Sequence, residues 1–249
     1  MQAAVLVPAM GVLGALVGSF LAAVSVRLPR SESVVGGRSH CMSCERPLAV
    51  WQLVPIFSWL AQRGRCGWCK APVSARYILI EVAAVGIGIW AALVREDPGA
   101  IAITALLGWQ LLLIAIIDAE NFWLPDVLTL PLIASGLALA FLSDPSPWDH
   151  VGGALAGFAS LWTIAAVYRV IRRRDGLGAG DPILLAGAGA WVGWIGLPSV
   201  LLWACAAGVS LIVARMVARR PVGATDKLPF GSYLALGVWL TWVFGPLGL

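Results

Sequence analysis

The chain has 249 residues, 60% hydrophobic and 12% charged, and 17 Lys and Arg against 13 Asp and Glu leave a formal charge of +4. A soluble domain is nearer to about 45–50% apolar and about 25% charged, so this composition excludes an ordinary soluble globule. The small net charge gives no sign of a nucleic-acid partner, and the natural surroundings of such a chain are a lipid bilayer.

Eight apolar segments are predicted, near 4–26, 77–94, 99–117, 124–143, 151–170, 182–197, 198–216 and 228–248. Each is about long enough to cross ~30 Å of hydrocarbon. Lipid offers the backbone no hydrogen bonds, so these segments are read as helices. The fold class is therefore an all-α polytopic membrane protein with about eight transmembrane helices. The first segment lacks a basic flank, and its run is longer than the hydrophobic region of a signal peptide, although "AAVSV" faintly resembles a cleavage site. It is read as a retained helix, residues 1–26.

Residues 27–76 form the one long polar stretch. It carries "CMSC" and, 21 residues later, "CGWC". Each C-x-x-C pair can fill two corners of a tetrahedron, so Cys41, Cys44, Cys66 and Cys69 are predicted to hold a structural Zn²⁺. The competing reading is two disulfides, disfavoured where thiols stay reduced. His40 would be a fifth ligand and is read as a surface residue.

Segment two, "YILIEVAAVGIGIW", contains Glu81. A carboxylate inside a membrane helix is functional or paired by default. Segment three ends at Asp118. Segment four opens at Asp126 in "LPDVLTLP", where a helix cap is the plain reading. His150 sits at the outer end of segment five and is read as interfacial. The run "RRR" follows. Then comes "GLGAGD", ending at Asp181, which precedes Pro182 and the sixth segment, the least regular because Gly and Pro interrupt it. An Asp followed by Pro is also a good cap and first helical residue. Cys205, in segment seven, is read as a small buried side chain.

Orientation follows from the basic residues. With the N-terminus outside, every Lys and Arg except Arg95 falls in or beside a cytoplasmic stretch, including Arg172, Arg173, Arg174, Arg219, Arg220 and Lys227. The positive-inside rule thus predicts both termini outside. It brings Asp118 and Asp181 to the same cytoplasmic face. From spacing alone, a catalytic pair and two solvated helix ends both remain open, as does an ion- or proton-coupled transporter using Asp118, Asp181 and Glu81 as relays.

The blocks "GSFLAAVSVRLPR", "CMSC…CGWC", "APVSARYILIE", "IDAENFWLPDVLTLP", "GLGAGD" and "LPFGSYLALG" together resemble the type IV prepilin leader peptidases, bifunctional peptidase/N-methyltransferases of the GxGD aspartic class. The resemblance spans nearly the whole chain. It implies that Asp118 and Asp181 are the catalytic aspartates and that the four cysteines bind zinc. It implies an inner-membrane enzyme that cuts prepilin or pseudopilin precursors of type IV pilus or type II secretion systems at the cytoplasmic face. It further implies methylation of the new N-terminus from S-adenosylmethionine. On this reading 27–76 is a zinc-binding insert and 77–249 the membrane-embedded peptidase domain. One departure stands out: the family commonly has Lys two positions after the second aspartate, where this chain has Ile183.

Two-aspartate hydrolysis needs one carboxylate ionised and one protonated. Adjacent like charges resist joint ionisation, so the pair shares a proton. Gly178 and Gly180, with Gly176, are read as an active-site turn that lets the backbone approach a substrate. A fully bonded cap at Asp181 would favour the ionised role for that residue. No H-E-x-x-H and no G-x-G-x-x-G occurs, which argues against a zinc metalloprotease and a Rossmann-type donor site. Arg76 and Glu81, beside the insert, are the candidates for a role in substrate handling or methyl transfer.

Overall fold

A computed structural model describes residues 2–34, 36–143, 145–174, 176–219 and 228–248. Arg220 and Lys227 lie outside the described residues. Among those described there are eight α-helices and no sheet: α1 (Gln2–Arg27), α2 (Phe57–Ala61), α3 (Arg76–Val94), α4 (Pro98–Asn121), α5 (Asp126–Ser143), α6 (Pro147–Arg172), α7 (Asp181–Val217) and α8 (Phe230–Phe244). Six are long and apolar enough to cross a membrane. The chain divides into two compact units, residues 1–113 and 114–249, with the boundary inside α4.

In the first unit α1 and α3 pack backbone to backbone. A Cβ on Gly14 would sit 2.5 Å from the Ala84 carbonyl oxygen, and one on Gly18 would sit 2.7 Å from Glu81 Cα. This is the small-xxx-small contact of membrane helices, which gain nothing from hydrophobic burial and associate through close fit. Trp109 donates its indole N–H to the Ala84 carbonyl at 2.9 Å, tying α4 to the pair. Among its described residues, the polar insert between α1 and α3 carries α2 and two short 3₁₀ turns, Leu28–Arg30 and Val50–Leu53.

The second unit is built around α7, which is two arms rather than one helix. Gly193 breaks it with φ 68° and ψ 176°, a backbone region open essentially to glycine alone. The first arm runs antiparallel to α6, because Gly157 abuts Leu185 and Gly153 abuts Gly189. The second arm runs antiparallel to α8, because Gly237 abuts Val200 and Gly208 abuts Tyr233. Gly180 and Gly231 both abut Leu124, and Trp191 meets Trp242 with ring centres 5.2 Å apart, so α8 runs parallel to the first arm. The chain therefore reverses at Gly193, and the two arms are the sixth and seventh segments of the sequence. The expected break between 197 and 198 is corrected to Gly193. Pro198 lies five residues past the break, inside the second arm, where it leaves the Trp194 carbonyl without the N–H four residues on.

Two further expectations change, those for helix length and for Cys205, while His150 keeps its place at the start of α6 and gains a partner. The first arm, residues 181–192, is about 18 Å long, and α8, with 15 residues, about 22 Å. Neither matches a full hydrocarbon crossing. His150 is half-buried, and its ring nitrogen donates to the Ala190 carbonyl at 3.0 Å. A helix end leaves carbonyls without donors of their own, and the histidine serves one beside the break. Cys205 is exposed rather than buried; a small apolar side chain loses nothing facing lipid.

Candidate functional site

Asp118 and Asp181 belong to one unit, and both are buried, 5% and 4% exposed. Asp118 stands in the last turn of α4. Asp181 is the first residue of α7, and Gly180, not Asp181, is the cap. The Asp181 side chain turns back and accepts the Gly178 N–H at 2.9 Å through Oδ2. The aspartates lie close enough for the charge of one to be felt at the other. The buried side chain of Leu124 fills the space beside both. A Cβ on Gly180 would come within 2.6 Å of it, and one on Gly231 within 2.9 Å. That same Gly231 Cβ would lie 3.0 Å from the Asp118 carboxylate. Neither Gly178 nor Gly180 has a positive φ. The turn uses their lack of a side chain rather than a left-handed backbone.

Asp118 is held from the far end of the chain. Its Oδ2 accepts the Ser232 N–H at 2.8 Å and faces the Ser232 hydroxyl at 3.2 Å; the Gly231 N–H also bonds the carboxylate. Three donors thus converge on Asp118, against one on Asp181. Ser232 was not singled out in the sequence. Its signal was the small pair Gly231–Ser232 opening an apolar helix, where free N–H groups point at whatever acceptor lies in front. Asp126 is exposed at the start of α5.

The four cysteines come together in the first unit, with all four sulfurs within 4.8 Å of one another. Cys41 and Cys69 are 3.9 Å apart. A tetrahedral Zn²⁺ with ~2.3 Å bonds to sulfur sets that edge at about 3.8 Å, so the donor set fits. The two halves repeat with a shift of 25 positions. Cys41 and Cys66 each head a turn closed by the N–H four residues on, Glu45 and Lys70, at 2.9 and 3.1 Å. Glu45 and Lys70 both take a positive φ, 55° and 60°. Short bridges, His40 to Pro47 and Arg65 to Pro72, flank the turns. The N–H groups of Cys69 and Trp68 bring the Cys66 thiol down to about 6. The Ala71 N–H favours the thiolate of Cys69, yet burial and the neighbouring thiols push it up to about 11. A cation among the four sulfurs would relieve that crowding. His40 is exposed and outside the cluster.

Glu81 is buried at 8% exposure. Its Oε2 accepts the Ile56 N–H at 2.7 Å, and Ser19 bonds it as well. Arg76 reaches across to α1, donating to the Ser25 hydroxyl at 2.8 Å. A cavity of about 400 Å³ opens between α1, α3 and the insert, lined by Ser19, Arg27, His40, Trp59, Tyr77 and Glu81 among others.

Two family models match the chain. Residues 12–95 match the bacterial peptidase A24 N-terminal domain, which takes in all four clustered cysteines. Residues 105–213 match the type IV leader peptidase family, which takes in both buried aspartates. The chain is 36% identical to a prepilin leader peptidase/N-methyltransferase of Aeromonas hydrophila, over 84% of this chain and 72% of that protein. It is 39% identical to one from Burkholderia pseudomallei, over 88% and 71%. A third, from Stutzerimonas stutzeri, is 34% identical over 94% and 89%. No solved structure matches.

Proposed function

Since the chain belongs to the type IV leader peptidase family, we propose that Asp118 and Asp181 are the two carboxylates with which it cuts its substrate. The protein is a multi-pass membrane peptidase and N-methyltransferase: it removes the leader peptide of type IV prepilin-like precursors and methylates the residue exposed. The observation that carries the catalytic assignment is a pair of buried carboxylates on two helix ends, fixed by donors from distant parts of one unit.

The donors divide the labour. Asp118, facing three, fits the acceptor-only form, an ionised base. Asp181, with one donor on Oδ2, has an oxygen left to carry the shared proton. Water loses a proton to Asp118 while its oxygen bonds the scissile carbonyl carbon, and Asp181 passes its proton to the carbonyl oxygen. Collapse breaks the C–N bond. Asp118 gives its proton to the leaving amine, and the hydroxyl proton returns to Asp181. Leu124 and the close glycines keep bulk water from the pair.

In this reading Cys41, Cys44, Cys66 and Cys69 hold a structural Zn²⁺ in the insert. The methyl donor is S-adenosylmethionine, and the ~400 Å³ cavity is within the range of small-molecule sites. Glu81 would face the donor's positive charge there, with Arg76 fixing the wall. When bound, the donor supplies the methyl group. The protein lies in the bacterial inner membrane with both termini outside and the aspartates at the cytoplasmic face. Exposed Trp148 and Trp194 at one end of the second unit, and Trp123 at the other, suit interfacial belts. Nothing favours the transporter reading; both models and all three relatives above are peptidases.

The test is cleavage of a prepilin-like precursor in liposomes. Asp118→Asn and Asp181→Asn should each nearly abolish leader removal at unchanged protein level. The double variant should be no worse than either, because the pair acts as one unit. Near-normal cleavage by either single variant would mean that other groups do the chemistry.

A further inference from the structure

Residues 50–60 present an unusual surface. Val50, Trp51, Leu53, Val54, Phe57 and Leu60 are all exposed, Val50 and Phe57 at 79% and 74%. In their midst Ile56 has φ 64° and ψ −56°, and the Phe57 N–H bonds the Pro55 carbonyl at 2.6 Å. That is a γ-turn of the rare, strained hand, and a β-branched residue is poorly suited to it. Such strain persists only where the surroundings impose it. Here the constraint is Glu81, whose carboxylate takes the Ile56 N–H at 2.7 Å.

Glu81 fixes the depth of this surface. It lies five residues into a membrane helix, about 7.5 Å along its axis from Arg76. Helical side chains lean back toward the N-terminus by up to a turn. The Ile56 backbone therefore stands level with the opening turns of α3. On those turns Leu79 and Val82, 66% and 51% exposed, already face outward. The apolar residues of 50–60 stand at about the same level, on the Glu81 side of α3. Arg63, Arg65 and Lys70 follow in sequence, all exposed. From 50 to 76 there is no Asp or Glu.

We infer that residues 50–60 are a foot that lies in the headgroup and upper acyl region of an anionic bilayer, pressed there by the Glu81 bond, with Arg63, Arg65 and Lys70 toward the lipid phosphates. Interfacial segments bury their apolar side about 5–10 Å deep, which agrees with the level set by Glu81. Basic residues near the surface add attraction to anionic lipid. The inference is independent of the peptidase reading, since it concerns only the first unit.

The experiment places a nitroxide on a keto-bearing residue at position 54, 57 or, as an aqueous control, 45, leaving the cysteines untouched. The zinc-loaded protein is reconstituted in nanodiscs containing phosphatidylglycerol, and power saturation compares oxygen with a water-soluble nickel chelate. At 54 and 57 oxygen should be the better relaxant by several-fold, and at 45 the nickel chelate. Nickel access at 54 and 57 equal to that at 45 would overturn the foot. So would labels open to nickel until a prepilin-like peptide is added, which would make the surface a substrate dock. Glu81→Ala should release the turn, raising nickel access and label mobility at 57; an unchanged label would remove Glu81 from the account. The wild-type depth reading stands even if that variant fails to fold.

Discussion

Ser232 has one hydroxyl hydrogen and two acceptors in range, the Ala115 carbonyl at 2.8 Å and Asp118 Oδ2 at 3.2 Å. It can donate to Asp118 while that residue is ionised. It can turn to Ala115 and accept when Asp118 carries a proton. Ser232→Ala leaves the backbone donors and removes this adjustable one. A hydrogen bond to a charged group is worth about 1.5–3 kcal/mol, so kcat/KM for leader removal should fall roughly ten- to a hundred-fold. Ser232→Thr should recover most of the loss, and an alanine variant as fast as the parent would show the hydroxyl to be idle. Asp126→Asn should change cleavage little, because Asp126 is exposed and asparagine serves a helix start almost as well. A severe loss there would mean the wrong carboxylates had been paired. Asp118 and Asp181 stand out in the sequence because carboxylates at a membrane helix end are costly; spacing alone left a pair and two solvated helix ends open, and only the family resemblance assigned them to catalysis. Ser232 does not stand out, because its partner lies 114 positions away and nothing local marks the hydroxyl.

The hairpin in α7 depends on one residue. A Cβ on Gly193 would meet nothing closer than the Asp149 carbonyl at 3.9 Å, so the obstacle to substitution is backbone conformation alone. Gly193→Ala should cost about 1–3 kcal/mol, lowering the melting temperature in detergent. Gly86→Ala, at an open helical site in α3, should be neutral or slightly stabilising. Equal effects at the two sites would contradict the assigned turn. The eight apolar segments were readable because lipid forces every backbone group into a helix. The position of this break was not. Gly187, Gly189, Gly193 and Gly196 look alike in the sequence, and three of them serve close packing. Pro198 was the louder but misleading signal. The cysteine cluster was readable because its spacing is itself the chemistry. Its 25-position repeat was visible in "HCMSCERP" and "RCGWCKAP" and emerged only with the matching turns. Since the turns are equivalent, Cys41→Ser and Cys66→Ser should reduce zinc from one per chain to a similar extent by elemental analysis. An effect of one alone would argue against a shared tetrahedral site.

For the molecule as a whole, the two units hold different equipment. Asp118 and Asp181 lie in the second; the cysteines, Arg76, Glu81 and the ~400 Å³ cavity lie in the first. Glu81→Gln keeps shape and removes charge. It should lower N-methylation while leader removal continues, read by mass spectrometry of the processed product. Proportional loss of both activities would leave no ground for a separate methyl-transfer site. The repeated turns also bear on how the protein is made. Neither half of the insert can close a four-sulfur site alone, and Cys69 leaves the ribosome 28 residues after Cys41. At about 5–20 residues per second, the first pair of thiols waits roughly one to six seconds without its partners. During that interval α1 is already available to the membrane and α3 has not yet emerged. The cell must keep those two thiols reduced and unclaimed by other metals until the second pair arrives, so the vulnerable moment for this protein comes during its synthesis.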